Sequence, residues 1–403
     1  METTKLATLF AVSSLGLGLL SACPEETGKD AENVSVEELG SFTTDTGGEV
    51  DIPWTTPSGV VSSEVYCGPY GYGDNLATAA KITAPSGSEI YNWENPYGTA
   101  MRVGTLDDML PVLLSVSPDL PVEEGDYTLR LLMAVSKLPA TVNCSVVTRV
   151  GDVAGSNTID LDIVFVGVDG IVPGMTAAAA ESDDTVAGIL DALGGLWDGL
   201  GVELGTVRYF DFGGDVDKYT VVDGEEEFGN LLREADSGIH LTFFMVQDID
   251  LGDGASILGL SGGPPGVATV GGTSKSGVVI NVANAASNPD EVALIMAHEG
   301  GHFVGLFHTT EKAGDGHDPL GDTPECADGN SDGTVATSEC SGKGAENVMW
   351  WAAKTGTSTD FTDDQTWVVS RNAVAPPMLK PRISVCFNPI WRMSPAMSAA
   401  ICS

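Results

Sequence analysis

Five histidines occur in 403 residues, and three of them, His298, His302 and His308, fall close together. His298 and His302 are four residues apart, just over one helical turn. On a helix both project from one face and reach a single tetrahedral zinc at about 2.0–2.1 Å. Glu299 stands one step round, beside the position such a metal leaves open, where a carboxylate can take a proton from water. Gly305 can adopt the left-handed conformation that ends a helix, which turns the chain back so that His308 supplies a third ligand. Three protein ligands leave a fourth position for water, which separates a catalytic zinc from a closed structural one. The chemistry so arranged is metal-assisted hydrolysis with Glu299 as general base.

The elements that must carry these residues are legible around them. Asn288 is placed to cap a helix, Pro289 suits its first position, and Glu291 completes a capping-box spacing. Gly300 and Gly301 each cost roughly 1 kcal/mol relative to Ala inside a helix, so their use implies close approach of another segment. Upstream, Ile159 to Val166, Thr206 to Phe210, Leu241 to Val246 and Val278 to Val282 read as strands. Helical stretches at Thr185 to Leu200 and Glu225 to Ala235 lie between them. Strands alternating with helices predict an α/β layer with a mixed, largely parallel sheet. From Val50 to about Gly155, short runs such as Tyr127 to Met133 between turn clusters predict a small all-β, sandwich-like domain.

A second constellation lies downstream. Asp328 to Glu339 matches the twelve-residue calcium loop, with Asp328, Asn330 and Asp332 giving side-chain oxygens, Thr334 its carbonyl and Glu339 both carboxylate oxygens. Cys326 and Cys340 bracket this loop and are expected to bond, bringing its ends together. The two remaining histidines carry less. His317 reads as a residue of an Asp-rich, solvated loop, and His240, just before a strand, as structural.

Acidic residues outnumber basic ones 57 to 18, for a formal net charge of −39. Such a field repels nucleic acid and anionic membrane surfaces, so nucleic-acid binding is excluded as an expectation. Residues 1–22 read as an export signal, with Lys5 ahead of an apolar run from Leu6 to Leu20. Leu20-Ser21-Ala22-Cys23 resembles a bacterial lipobox, which implies acylation at Cys23 and attachment to the cell envelope or surface through lipid alone. Residues 23–48 then read as a flexible tether, 49–155 as the β domain, 156–372 as the histidine-bearing domain and 373–403 as an extension packed on it. Besides Cys23, six cysteines in an exported chain favour disulfides over free thiols. Proximity pairs Cys67 with Cys144, Cys326 with Cys340 and Cys386 with Cys402 among 15 formal pairings.

The string from His298 to His308 is the HExxHxxGxxH signature of metzincin metallopeptidases. His308-Thr309-Thr310, Gly321-Asp322-Thr323-Pro324 with Cys326, Asn347-Val348-Met349 and Phe361-Thr362-Asp363-Asp364-Gln365 narrow the resemblance to the pappalysin family, including ulilysin-like bacterial members. The resemblance covers about half the chain, from roughly Asp160 to Arg371. It implies a metzincin-like catalytic fold, a catalytic zinc, endopeptidase action on protein or peptide substrates, and Met349 in a methionine turn beneath the metal. It also implies structural calcium near Asp315, Asp318 and Asp322. One position departs: Trp351 stands where the family generally has tyrosine, and indole cannot ligate zinc as a phenolate. This departure leaves a second reading open, a surface binding or adhesion lipoprotein that keeps the metal shell without turnover. Oligomeric state is not written in the sequence.

Overall fold

The computed structural model describes residues 33–68, 75–104, 109–135, 137–153, 156–252 and 257–377. The expected export signal, Cys23, Cys386, Cys402 and the end of the C-terminal extension lie outside them. From Val34 the chain forms eight strands: β1 (Val34–Thr43), β2 (Glu49–Thr56), β3 (Val60–Cys67), β4 (Asn75–Thr83), β5 (Glu89–Asn92), β6 (Leu110–Leu113), β7 (Gly125–Val135) and β8 (Thr141–Val150). They make two four-stranded sheets, ordered β1-β8-β3-β6 and β2-β7-β4-β5. Strand β7 shows the cause, because Tyr127, Leu129, Leu131 and Met133 are buried on one face while Asp126 and Arg130 point to solvent. That period of two gives each sheet one apolar face, and the two faces share a single core with Ile52, Trp54, Val65 and Leu113. Cys67 and Cys144 are register partners on β3 and β8 and are disulfide-bonded.

The tether expected to reach residue 48 is corrected here: residues 34–43 are strand β1, paired along β8. β1 is an edge strand whose side chains are mostly exposed, so Ser, Thr and Glu fill it without breaking it. Only Val34, Leu39 and Phe42 pack inward, and a register shift between Glu38 and Gly40 interrupts their alternation.

The second unit contains β9 (Asn157–Phe165), α1 (Asp184–Asp198), β10 (Val202–Asp211), α2 (Val216–Tyr219), β11 (Val221–Asp223), α3 (Gly224–Leu232), β12 (Leu241–Val246), β13 (Asp248–Asp250), β14 (Gly259–Ser261), β15 (Val278–Asn281), α4 (Pro289–Phe303) and α5 (Asp363–Val369). Its five-stranded sheet runs β10-β9-β12-β15-β14, parallel except for the antiparallel edge strand β14. All six residues of β12 are buried, since both faces of the sheet are covered. Leu241, Phe243 and Met245 join the core shared with α1 and α4, whereas Phe244 and Val246 join the one on the α3 side. The expected mixed α/β layer behind a β sandwich is therefore what forms.

The two units are joined through buried polar contacts. Arg149 of β8, 1% exposed, donates through Nη1 to the carbonyls of Ser370, Asn372 and Ala375. Residues 373–375 are buried in the α/β core, and Asn157 pairs with Pro377. No helix among the described residues is long and apolar enough to cross a membrane.

Candidate metal centre

Helix α4 begins at Pro289 as its sequence predicts, but Asn288 occupies the cap position without a side-chain cap bond. The backbone at Asn288, φ −147° and ψ 63°, does not offer its amide oxygen to the first turn. A complete capping box is found instead at α5, between Thr362 and Gln365. At the other end, Gly305 N–H donates to His302 O at 3.0 Å and Leu306 N–H to Gly301 O at 2.9 Å. Gly305 has φ 103°, so the helix closes in a Schellman turn that only glycine enters without strain. The reversal aims Leu306 O back at the helix, where it accepts from His302 Nδ1 at 2.7 Å.

Each histidine of the triad is oriented by a partner at Nδ1. His298 Nδ1 donates to Val348 O at 2.7 Å, and His308 Nδ1 to the Glu311 carboxylate at 2.9 Å. A carbonyl only accepts, so Nδ1 carries the proton in His298 and His302 and each Nε2 keeps a lone pair. The Nε2 atoms converge: His308 Nε2 lies 3.1 Å from that of His302 and 3.3 Å from that of His298. Tetrahedral ligands about 2.05 Å from zinc stand about 3.3 Å apart, so the donor set fits this metal. Lone pairs so placed repel unless a cation lies between them. Among the described residues, this triad is the group of three or more His, Cys, Asp or Glu side chains whose ligand atoms come within 4.8 Å of one another. Burial and mutual repulsion push His298 down to about 3 and His302 well below the ordinary histidine range. Both rings are thus held neutral, the form that ligates.

The surrounding elements explain the neighbouring motif residues. Met349 is fully buried, with its Sδ 2.5 Å from where a Cβ on Gly301 would stand, and the Trp197 ring crowds Gly300 in the same way at 2.9 Å. The two helix-weakening glycines therefore admit a methionine and a tryptophan. Val348 O reaches His298 because its strand of chain is fixed: Met349 N–H donates to Asn347 Oδ1, and the Asn347 and Gln365 amides bond reciprocally at 2.9 and 3.1 Å. Thr309 N–H donates to Met349 O at 3.0 Å, tying the turn to the third ligand's loop.

Glu299 lies under the edge strand β14, where its carboxylate accepts the Ser261 amide and burial pushes it up to about 8. Gly259 permits this approach, since a Cβ there would stand 2.8 Å from Glu299 Cγ. Trp351 does not turn toward the triad by its polar atom: Nε1–H donates to Val335 O at 2.9 Å.

Other sequence candidates separate from the triad. His240 is buried against Asp162, 3.2 Å away, while Arg208 grips the same carboxylate at 2.6 and 2.8 Å. His317 has Nδ1 near Thr309 O and Thr310 Oγ1. In the acidic loop, Cys326 and Cys340 are bonded and Val335 is fully buried beside them. Asp328 accepts the amides of Asn330, Ser331 and Gly333, and this lowers its pKa. Asn330 accepts from Asp332 N–H, Asp332 from Thr334 N–H, and Glu339 from Ala336 N–H. The loop carboxylates face their own backbone and do not form a group like the triad. Asp318 is buried, with Oδ1 accepting from Thr323 and Leu320, and burial raises it to about 7, whereas Asp315 and Asp322 are exposed.

Sequence reasoning missed the Nδ1 partners. Two are backbone carbonyls and leave no residue signature, but Glu311, three residues after His308, was open to discovery by its spacing.

No family model matches the chain, and no curated protein matches it. Among solved structures it is similar to archaemetzincin from Methanopyrus kandleri, at 16% identity over 54% of this chain and 97% of that one, with a TM-score of 0.31. It is also similar to metalloproteinase-II from Bacteroides fragilis, at 12% identity over 54% of each chain, with a TM-score of 0.29. At these scores neither likeness bears on the site's chemistry, which rests on the site's own atoms.

Proposed function

We propose that the chain is an extracytoplasmic zinc-dependent endopeptidase with His298, His302 and His308 as ligands and Glu299 as general base. The convergence of three Nε2 atoms, each ring held at Nδ1 by its own acceptor, carries this reading. Zinc held there supplies Lewis acidity, polarising a peptide carbonyl and lowering the pKa of a water. The chain's own residues do the rest. Glu299 stands one step round α4 from His298, and a positive charge in the triad favours the ionised form that accepts a proton. The same carboxyl then returns the proton to the departing amine. Ser261 N–H holds it in place. β14 is the sheet's edge, and an extended peptide laid along that edge passes Glu299, a mode of binding that uses backbone bonds first.

Met349 is the buried support of the ligand helix in this reading. The bonding of the Trp351 indole to Val335 favours a second reading, in which the shell binds metal or a partner protein without turnover. Digestion of a peptide library by zinc-loaded protein, with and without chelator, separates the two: chelator-sensitive cleavage supports the peptidase, and intact peptides support the binding module. The pappalysin-like assignment, the lipid anchor at Cys23 and attachment to the cell envelope belong to the same proposal. So does calcium in the loop Asp328 to Glu339, where Asp328 Oδ2, Asn330 Oδ1, Asp332 Oδ1 and Glu339 Oε2 each accept one amide and keep a second lone pair for a cation.

A further inference from the structure

The N-terminal sandwich meets the α/β unit at the turn that delivers the third ligand. Leu113 ends β6 and is 1% exposed within the sandwich core. Its Cδ2 lies 2.5 Å from where a Cβ on Gly305 would stand, and Gly305 is the residue that reverses the chain between His302 and His308. Two residues on, Phe307 packs against the core of the sandwich and not that of its own unit. His308 follows directly. The sandwich holds the same loop twice more, through Ser117 Oγ to Pro319 O at 3.1 Å and Arg102 Nε to His317 O at 3.5 Å. Segment 305–319 is thus fixed by the sandwich at its start, through Gly305 and Phe307, and at its end, through His317 and Pro319. His298 has no such dependence, being set by α4 and the Val348 carbonyl, and His302, carried on α4, shares it only through the Leu306 carbonyl.

We propose that the sandwich is a permanent positioning element for His308, with Leu113 and Phe307 as the positioning residues. A ligand carried on a loose loop must be ordered when the metal binds, and that ordering weakens binding. A loop already packed has lost its freedom on folding. The sandwich is therefore part of the finished metal centre, and its removal as a prosegment would leave a two-histidine site with a mobile third ligand. The proposal rests on the metal-centre reading above.

The test compares zinc affinity, by competition with a chromophoric chelator, and the visible spectrum of the cobalt(II) form in full-length variants. Leu113→Ala and Phe307→Ala are expected to raise the zinc Kd roughly 10–100-fold, the scale of losing an outer-shell partner, and to alter the cobalt spectrum. Phe307→Leu, which keeps an apolar side chain in the sandwich core, restores both. Ile52→Ala is the control: Ile52 is buried in the sheet that does not carry Leu113, so this change lowers Tm while leaving the zinc Kd in place. Should Leu113→Ala fail to fold, Leu113→Val carries the same comparison with a smaller rise. Folded Leu113→Ala and Phe307→Ala with wild-type Kd and spectrum overturn the positioning role, as does an equal rise in Ile52→Ala. Wild type that takes up neither zinc nor cobalt overturns the metal centre itself.

Discussion

The triad and the acidic loop stand close in the sequence and both carry metal-ligand spacing, yet they are built differently. At the triad every ring is turned outward-in: Nδ1 is committed to Val348, Leu306 or Glu311, and the three Nε2 atoms face one another. In the loop the acceptors are turned onto the loop's own amides, and Asp328 alone takes three. The first arrangement is unfavourable until a cation arrives, whereas the second is satisfied without one. Spacing tells where ligands lie along the chain; the partners of their remaining atoms tell whether a site is already assembled.

The largest effect that sharpens this contrast belongs to His302→Ala. Removing one of three ligands is expected to lower zinc affinity by more than the roughly 10–100-fold of an outer-shell loss and to abolish chelator-sensitive cleavage. Zinc content measured after dialysis checks it, and a variant that keeps stoichiometric zinc breaks the triad's side of the comparison.

Acidification separates the two regions next. His298 and His302 are held far below the unfolded histidine value near 6.5, so the unfolded chain binds more protons below that pH. Their contribution to the stability of metal-free protein is present above pH 6.5 and is lost progressively as pH falls below it. Asp328 is also lowered, from 3.8, so its contribution is lost only below that value. Glu299 and Asp318, pushed up to about 8 and about 7, act in the opposite sense over the same window, so the rings' share is read as a difference. The Tm of chelated wild type minus that of chelated His298→Gln should fall from pH 7.5 to 5.5, whereas wild type minus Asp328→Asn should stay level. A level His298→Gln difference over this window contradicts the buried, neutral triad.

The smallest effect is that of calcium. A ligand preferring the folded state raises Tm, but the loop is exposed and already bonded to itself, so the increment should be less than zinc gives. Asp328→Ala combined with Glu339→Ala should remove part of it. Equal shifts in wild type and the double variant rule the loop out, and leave the buried Asp318 as the remaining candidate.

Much of the centre was legible because its chemistry is local. The four-residue step from His298 to His302, the glycine at 305 and the alternation in β7 are short-range patterns with single structural solutions. The edge strand β1 was not legible, since solvent on its outer side lets polar residues replace the alternation that marks a strand. Nor were the Leu306 and Val348 carbonyls, which any residue could supply, or the lodging of Phe307 in the neighbouring core, which depends on how two units meet. Gly300 and Gly301 sit between these cases: their cost in a helix announced a close neighbour, but only the fold identified Trp197 and Met349.

Glu299 provides the most direct test of the central claim, because the proposed mechanism gives it a proton to move and no metal to hold. Zinc stoichiometry and peptide-cleavage rate should be measured on the same preparation of Glu299→Gln. The account predicts full zinc occupancy together with a rate reduced by a factor on the order of 10² or more, the scale of general acid–base catalysis. Cleavage by the zinc-loaded variant at the wild-type rate would contradict it.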